Sequence, residues 1–105
     1  MTGRKPQGYN SLSPYLISAD AKATVEFLKQ AFDGVELRRY ERPDGSIMHI
    51  EIRLDDTVVM IGGANNSVAP TAAHVHLYVR DVDAVYQKAL RYGAVSVQEP
   101  AIKGD

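Results

Sequence analysis

Hydrophobic and polar residues alternate strictly over 74–79: His74, His76 and Tyr78 fall on one side, Val75, Leu77 and Val79 on the other. Successive side chains of a strand point to opposite faces, so the stretch predicts a strand with an apolar back and a polar, titratable front. The stretch 47–54 alternates in the same way, with Met48, Ile50, Ile52 and Leu54 against His49, Glu51 and Arg53. Elsewhere the spacing lengthens. Val25, Leu28 and Phe32, joined by Phe27 and Ala31, recur at helical intervals, and Val82, Val85, Tyr86 and Ala89 fall at i, i+3, i+4 and i+7. Helices are predicted over 20–33 and 81–92, opened by the carboxylates of Asp20 and Asp81 and ended by Gly34 and Gly93.

Further strands are predicted over 12–18, 35–42, 57–61 and 95–97. Pro14 lacks an N–H, so the first of these is expected to lie at a sheet edge or to be irregular there. In 35–42, Val35 and Leu37 face one way and Arg38 and Tyr40 the other. Pro43-Asp44-Gly45 and Asp55-Asp56 are turn signals, and a loop rich in Gly, Asn, Ser and Pro covers 62–72. Gly62-Gly63 reads as a turn, without the further glycines and lysine of a phosphate-binding loop. The order strand–Asp–helix–Gly–strand occurs twice, about sixty residues apart. Such self-similarity predicts a repeated unit. The first unit is βαβββ; the second reaches only βα and one strand before Asp105. Completing it takes roughly twenty residues, two ordinary strands with their turns.

Composition narrows the chemistry. A length of 105 residues with 45% hydrophobic and 24% charged positions describes a single globular domain with one modest core. The net charge of −1 argues against nucleic acid or an anionic membrane surface as partner. There is no cysteine, which excludes disulfides, thiol catalysis and thiolate metal sites. No apolar run reaches the roughly 20 residues of a membrane span. Residues 1–10 read as a flexible polar tail and 11–105 as the domain, with module one over 11–64 and a partial module two over 73–105; the expected location is cytoplasmic.

Several motifs carry a family likeness in their order and spacing. They are Ser13-Pro14-Tyr15-Leu16, Ala31-Phe32-Asp33-Gly34, Pro43-Asp44-Gly45, His49-Ile50-Glu51-Ile52 and Asp55-Asp56-Thr57-Val58-Val59-Met60. His76-Leu77-Tyr78-Val79, Asp81-Val82-Asp83-Ala84-Val85 and Gly93-Ala94 complete the set. Together they resemble the vicinal oxygen chelate superfamily, the glyoxalase/bleomycin-resistance/dioxygenase proteins, and most of all its PhnB-like branch. The resemblance implies an α+β fold of paired βαβββ modules curved around a cup, commonly in a homodimer, with the second module here incomplete at the C-terminus. It also implies four metal-ligand slots. The first falls on Ser13, the second near Met60, the third on His74, and the fourth lies past Asp105; only His74 has a matching residue type.

If both polar strand faces line the cup, Tyr15, His49, Glu51, Met60, His74, His76 and Tyr78 converge. Glu51 and His49 are then the candidate catalytic pair, a carboxylate beside an imidazole able to move a proton next to a carbonyl. Tyr15, Met60, His76 and Tyr78 are the candidate ligand contacts, and His74 the candidate metal ligand. The same residues are also compatible with a plain cross-strand polar pair and a half-exposed strand face. Arg38, Arg39 and Arg42 read as solvated strand-face charges or dimer contacts. The expected function is binding of a small organic molecule in the cup without the usual metal or another cofactor. A divalent-metal-dependent lyase, isomerase or dioxygenase is the alternative.

Overall fold

A computed structural model describes residues 4–102; the first three residues of the expected tail and 103–105 lie outside the described residues. The chain runs β1 (Tyr15–Ser18), α1 (Ala21–Phe32), β2 (Val35–Glu41), β3 (Ile47–Leu54), β4 (Thr57–Gly63) and α2 (Val82–Arg91). The first five elements form one βαβββ unit. Its strands make a four-stranded sheet in the order β1-β4-β3-β2. β1 pairs parallel to β4, and β4–β3 and β3–β2 are antiparallel.

Helix α1 covers one face of this sheet. Asp20 caps it, its Oδ1 accepting from the Ala23 N–H at 3.0 Å. The core forms where Ala21 and Val25 of α1 meet Ile47, Ile50, Ile52 and Leu54 of β3 and Val59 and Ile61 of β4. Val25, Ile50, Ile52 and Ile61 have no exposed surface. Register explains the match. Ile50 lies opposite Ile61 and Ile52 opposite Val59, so both apolar rows point at α1.

Four local expectations change. Met48 does not continue the buried row of β3; it is 49% exposed while Ile47 is buried. Register jumps here, from Tyr40 opposite His49 to Glu41 opposite Ile47, so Met48 is the extra residue of a bulge and the face inverts across it. Gly62 and Gly63 are not a turn; they finish β4, paired with Ile17 and Ser18 of β1. The left-handed residue ending α1 is Asp33 (φ 56°), whose N–H, like that of Gly34, returns to the Leu28 carbonyl. Gly34 serves a close approach instead, since a Cβ there would lie 2.5 Å from Ile52 Cδ1. The tail, expected loose through residue 10, is held at its end: Val58 N–H donates to Asn10 Oδ1 (3.0 Å) and Asn10 Nδ2 donates to the Asp56 carbonyl (3.2 Å).

The larger correction concerns the second unit. Helix α2 forms where predicted, capped by Asp81 through Ala84 N–H at 3.0 Å. The stretches 74–79 and 95–97 are not strands among the described residues. Val75 (65%), Val95 (88%) and Val97 (100%) are exposed, and α2 buries no residue fully. A strand needs a neighbour for its N–H and C=O groups, whereas a helix satisfies its own, so the helix forms without a strand partner and the strands do not. The radius of gyration is accordingly 15.3 Å, against about 13 Å for a compact domain of 100 residues.

Candidate functional site

The sheet face away from α1 carries the polar cluster. Pairing of Glu51 with Met60, His49 with Gly62, and Tyr15 with Met60 puts these side chains on neighbouring strands of one face. Arg38 and Tyr40 join from β2, opposite Glu51 and His49. Tyr15 can lie over β4 because Gly62 has no side chain. A Cβ there would sit 2.9 Å from both Cε1 and the hydroxyl of Tyr15.

Hydrogen bonds run through the cluster in a line. The Tyr15 hydroxyl is 3.2 Å from His49 Nδ1, and His49 Nε2 is 2.9 Å from Glu51 Oε2. Oε1 of Glu51 accepts from the hydroxyl of Tyr9. A carboxylate only accepts, so it selects the His49 tautomer with hydrogen on Nε2, leaving the Nδ1 lone pair for the Tyr15 O–H. Tyr40 and Tyr15 flank the imidazole, with ring centroids 6.1 and 5.6 Å from it. Arg38 Nε stands 4.0 Å from Glu51, and its guanidinium lies 5.7 Å from the Tyr9 ring centroid.

Among the described residues, Glu51 is the one charged residue in the buried set, at 6% exposure. Burial pushes its carboxyl up, but hydrogen bonds from Tyr9 and His49, with the Arg38 charge, outweigh that and hold it below the usual carboxylate range. Donation to Glu51, with burial adding to it, raises the Tyr9 hydroxyl above the usual phenol range. Both oxygens of Glu51 are engaged, and in this arrangement it orients Tyr9 and His49.

His74, His76 and Tyr78 are not brought to this cluster. The rings of His76 and Tyr78 meet edge to face at 4.7 Å, and Tyr78 is 87% exposed. Leu77, Tyr78 and Val79 instead border a groove shared with Phe32, Val85 and Lys88, while Val75 lines a second groove with Leu16 and Ile17 of β1. Among the described residues no group of three or more His, Asp or Glu side chains could hold a metal ion. Of the slots on Ser13, Met60 and His74, Met60 sits in the cluster and His74 apart from it, and a thioether suits soft ions rather than Mn or Zn. Among the described residues, Ser13, Met60 and His74 do not come together as a set of hard donors. Tyr9 and Arg38 were not legible as site residues: Tyr9 sits in a segment without periodicity, and Arg38 looked like any strand-face charge.

No family model matches the chain. It is 39% identical over 108 residues to the Mycobacterium bovis protein called "Uncharacterized protein Mb0911c", covering 90% of this chain and 71% of that one. The Mycobacterium tuberculosis protein Rv0887c is also 39% identical, and this chain spans 64% of its length. Among solved structures, TioX from Micromonospora sp. ML1 superposes with a TM-score of 0.67 at 23% identity, over 90% of this chain and 80% of TioX. A mutant of the Listeria monocytogenes fosfomycin resistance protein FosX, complexed with Mn(II) and 1S,2S-dihydroxypropylphosphonic acid, gives 0.63 at 20% identity, over 89% and 73%. The chain therefore belongs to one family with the mycobacterial proteins, and its fold is that of the vicinal oxygen chelate, or glyoxalase/bleomycin-resistance, proteins.

Proposed function

We propose that this protein binds a small organic molecule on the open face of the sheet, without a resident metal, as a resistance-type or sequestering member of its superfamily. The observation that carries the reading is the line Tyr15–His49–Glu51, a buried charged carboxylate aligning an imidazole with a half-exposed phenol. Tyr15 and Met60 are the direct ligand contacts. His49 passes a proton to or from Tyr15, and Glu51 fixes its tautomer. His74, His76 and Tyr78 form the opposite wall once 74–79 is laid along a neighbouring strand. The exposed Val75, Leu77 and Val82 support a homodimer as the assembly that covers the second unit.

FosX bound to Mn(II) favours the alternative, a divalent-metal-dependent lyase, isomerase or dioxygenase, but the donor set argues against it. Elemental analysis of the purified full-length protein separates the two readings. The expected protein carries no stoichiometric divalent metal and melts a few degrees higher with a ligand from a panel of phenols, organic acids and fosfomycin. The shift is expected to disappear in Tyr15→Ala. A stoichiometric metal lost in His74→Ala would sink the metal-free reading.

A further inference from the structure

The arm preceding β1 lays an aromatic hydroxyl on the most buried charge of the open face. Tyr9 belongs to no element of the sheet; it follows the exposed residues 4–8, and its N–H returns to the Pro6 carbonyl at 3.3 Å. Its hydroxyl donates to Glu51 Oε1 and its ring lies 5.7 Å from the half-exposed Arg38 guanidinium. Backbone attachment beside it is thin: the Arg53 guanidinium reaches the Gly8 carbonyl at 3.4 Å. Downstream, Asn10 is anchored to Asp56 and Val58. The phenol thus rests on the sheet upstream of a fixed point.

These contacts define a subsite by its chemistry. A carboxylate that accepts from O–H, a guanidinium that covers a π face and flanking tyrosines suit a planar aromatic ring bearing a hydroxyl. We infer that Tyr9 is a built-in stand-in for such a ligand: Glu51 and Arg38 form a phenol-recognising subsite that the arm fills in the free protein and vacates when a hydroxylated aromatic binds. This inference rests on the reading of the open face as a ligand site. It adds the ligand class and a device by which the free protein keeps the second oxygen of Glu51 paired, since a buried carboxylate oxygen without a donor is disfavoured.

The test is chemical rescue with p-cresol, the side-chain analogue of tyrosine, followed by amide and His49 side-chain NMR shifts on the full chain. In Tyr9→Ala, p-cresol is expected to bind with shifts centred on Glu51, Arg38 and His49, about tenfold or more tighter than in the wild type. Toluene, which lacks the hydroxyl, is expected to lose most of that gain. Tyr9→Phe keeps the ring without its donor and is expected to fall between Ala and wild type; it also serves if Tyr9→Ala does not fold. Adding Glu51→Gln to either variant is expected to abolish the preference for p-cresol over toluene. Equal p-cresol affinity in wild type and both variants, or no binding to a folded Tyr9 variant, overturns the stand-in. Thermal shifts of the wild type with other ligands, lost in Tyr15→Ala, would persist in that case and keep the broader reading separate.

Discussion

Two halves of this chain were built from the same kind of pattern and ended differently. Over 15–63 the alternating strands find each other, and α1 closes one face over Ile50, Ile52 and Ile61. Over 64–102 one helix forms and the alternating stretch around His76 stays out of any ladder among the described residues. The Asp caps of the two helices are nearly identical, 3.0 Å to the third residue on in each. The same local capping therefore opens α1 and α2 alike, and partners make the difference for strands. A polar cluster forms where strands pair: His49 and Glu51 have Tyr15 and Met60 beside them, whereas 74–79 joins no ladder among the described residues.

Core truncation should break the symmetry most sharply. Ile50→Ala removes a side chain with no exposure and is expected to cost about 2–5 kcal/mol by chemical denaturation. Leu77→Ala, at a position 37% exposed, is expected to stay within about 0.5 kcal/mol. Similar losses at the two sites would mean that the second unit is packed against a core of its own.

Glycines give a smaller contrast. A Cβ on Gly63 would stand 2.1 Å from the Ile47 carbonyl oxygen, so Gly63→Ala must part β3 from β4, at about 1–3 kcal/mol or more. Gly93, with φ of 111°, has nothing within 4 Å of such a Cβ, and Gly93→Ala is expected to cost about 1 kcal/mol of backbone strain. Melting temperatures of the two variants, read side by side, check the order.

Acid sensitivity should also be lopsided. Glu36 of β2 accepts from Arg39 at 2.9 and 3.0 Å and pairs with Lys29 of α1 at 2.9 Å. Arg39 first and Lys29 second hold its carboxyl at about 2, below the ordinary 4.5. A depressed folded-state value means the unfolded chain takes the proton first, so this stabilisation is present above about 4.5 and is lost as pH falls to about 2. Glu36→Gln is expected to remove that part of the acid slope, and at neutral pH to cost about 1 kcal/mol or less, as partly exposed pairs do. An unchanged stability–pH curve would count against the network.

The smallest effect is expected where the halves touch. Lys88 of α2 donates to Asp33 at 3.1 Å, with the Asp33 side chain 88% exposed. Lys88→Ala should change stability by no more than about 0.5 kcal/mol. A larger loss would show that α2 is tied to α1 more firmly than this one exposed pair allows.

What the sequence determined by itself rests on near neighbours: both helices, their Asp caps, the βαβββ order, and the shared face of His49 and Glu51. Period-two alternation placed the latter two together because they lie two apart on one strand. The bulge at Met48 escaped, since an extra residue in a ladder is visible only against the partner strand. So did Gly62, whose missing Cβ matters only because the Tyr15 ring lies over it. Only the tertiary structure decided that Tyr9 and Arg38 meet Glu51, forty-two positions from Tyr9 along the chain, and that His74, His76 and Tyr78 stand apart. Contacts between distant segments depend on which strands pair, and pairing is a property of the assembled sheet rather than of any one stretch.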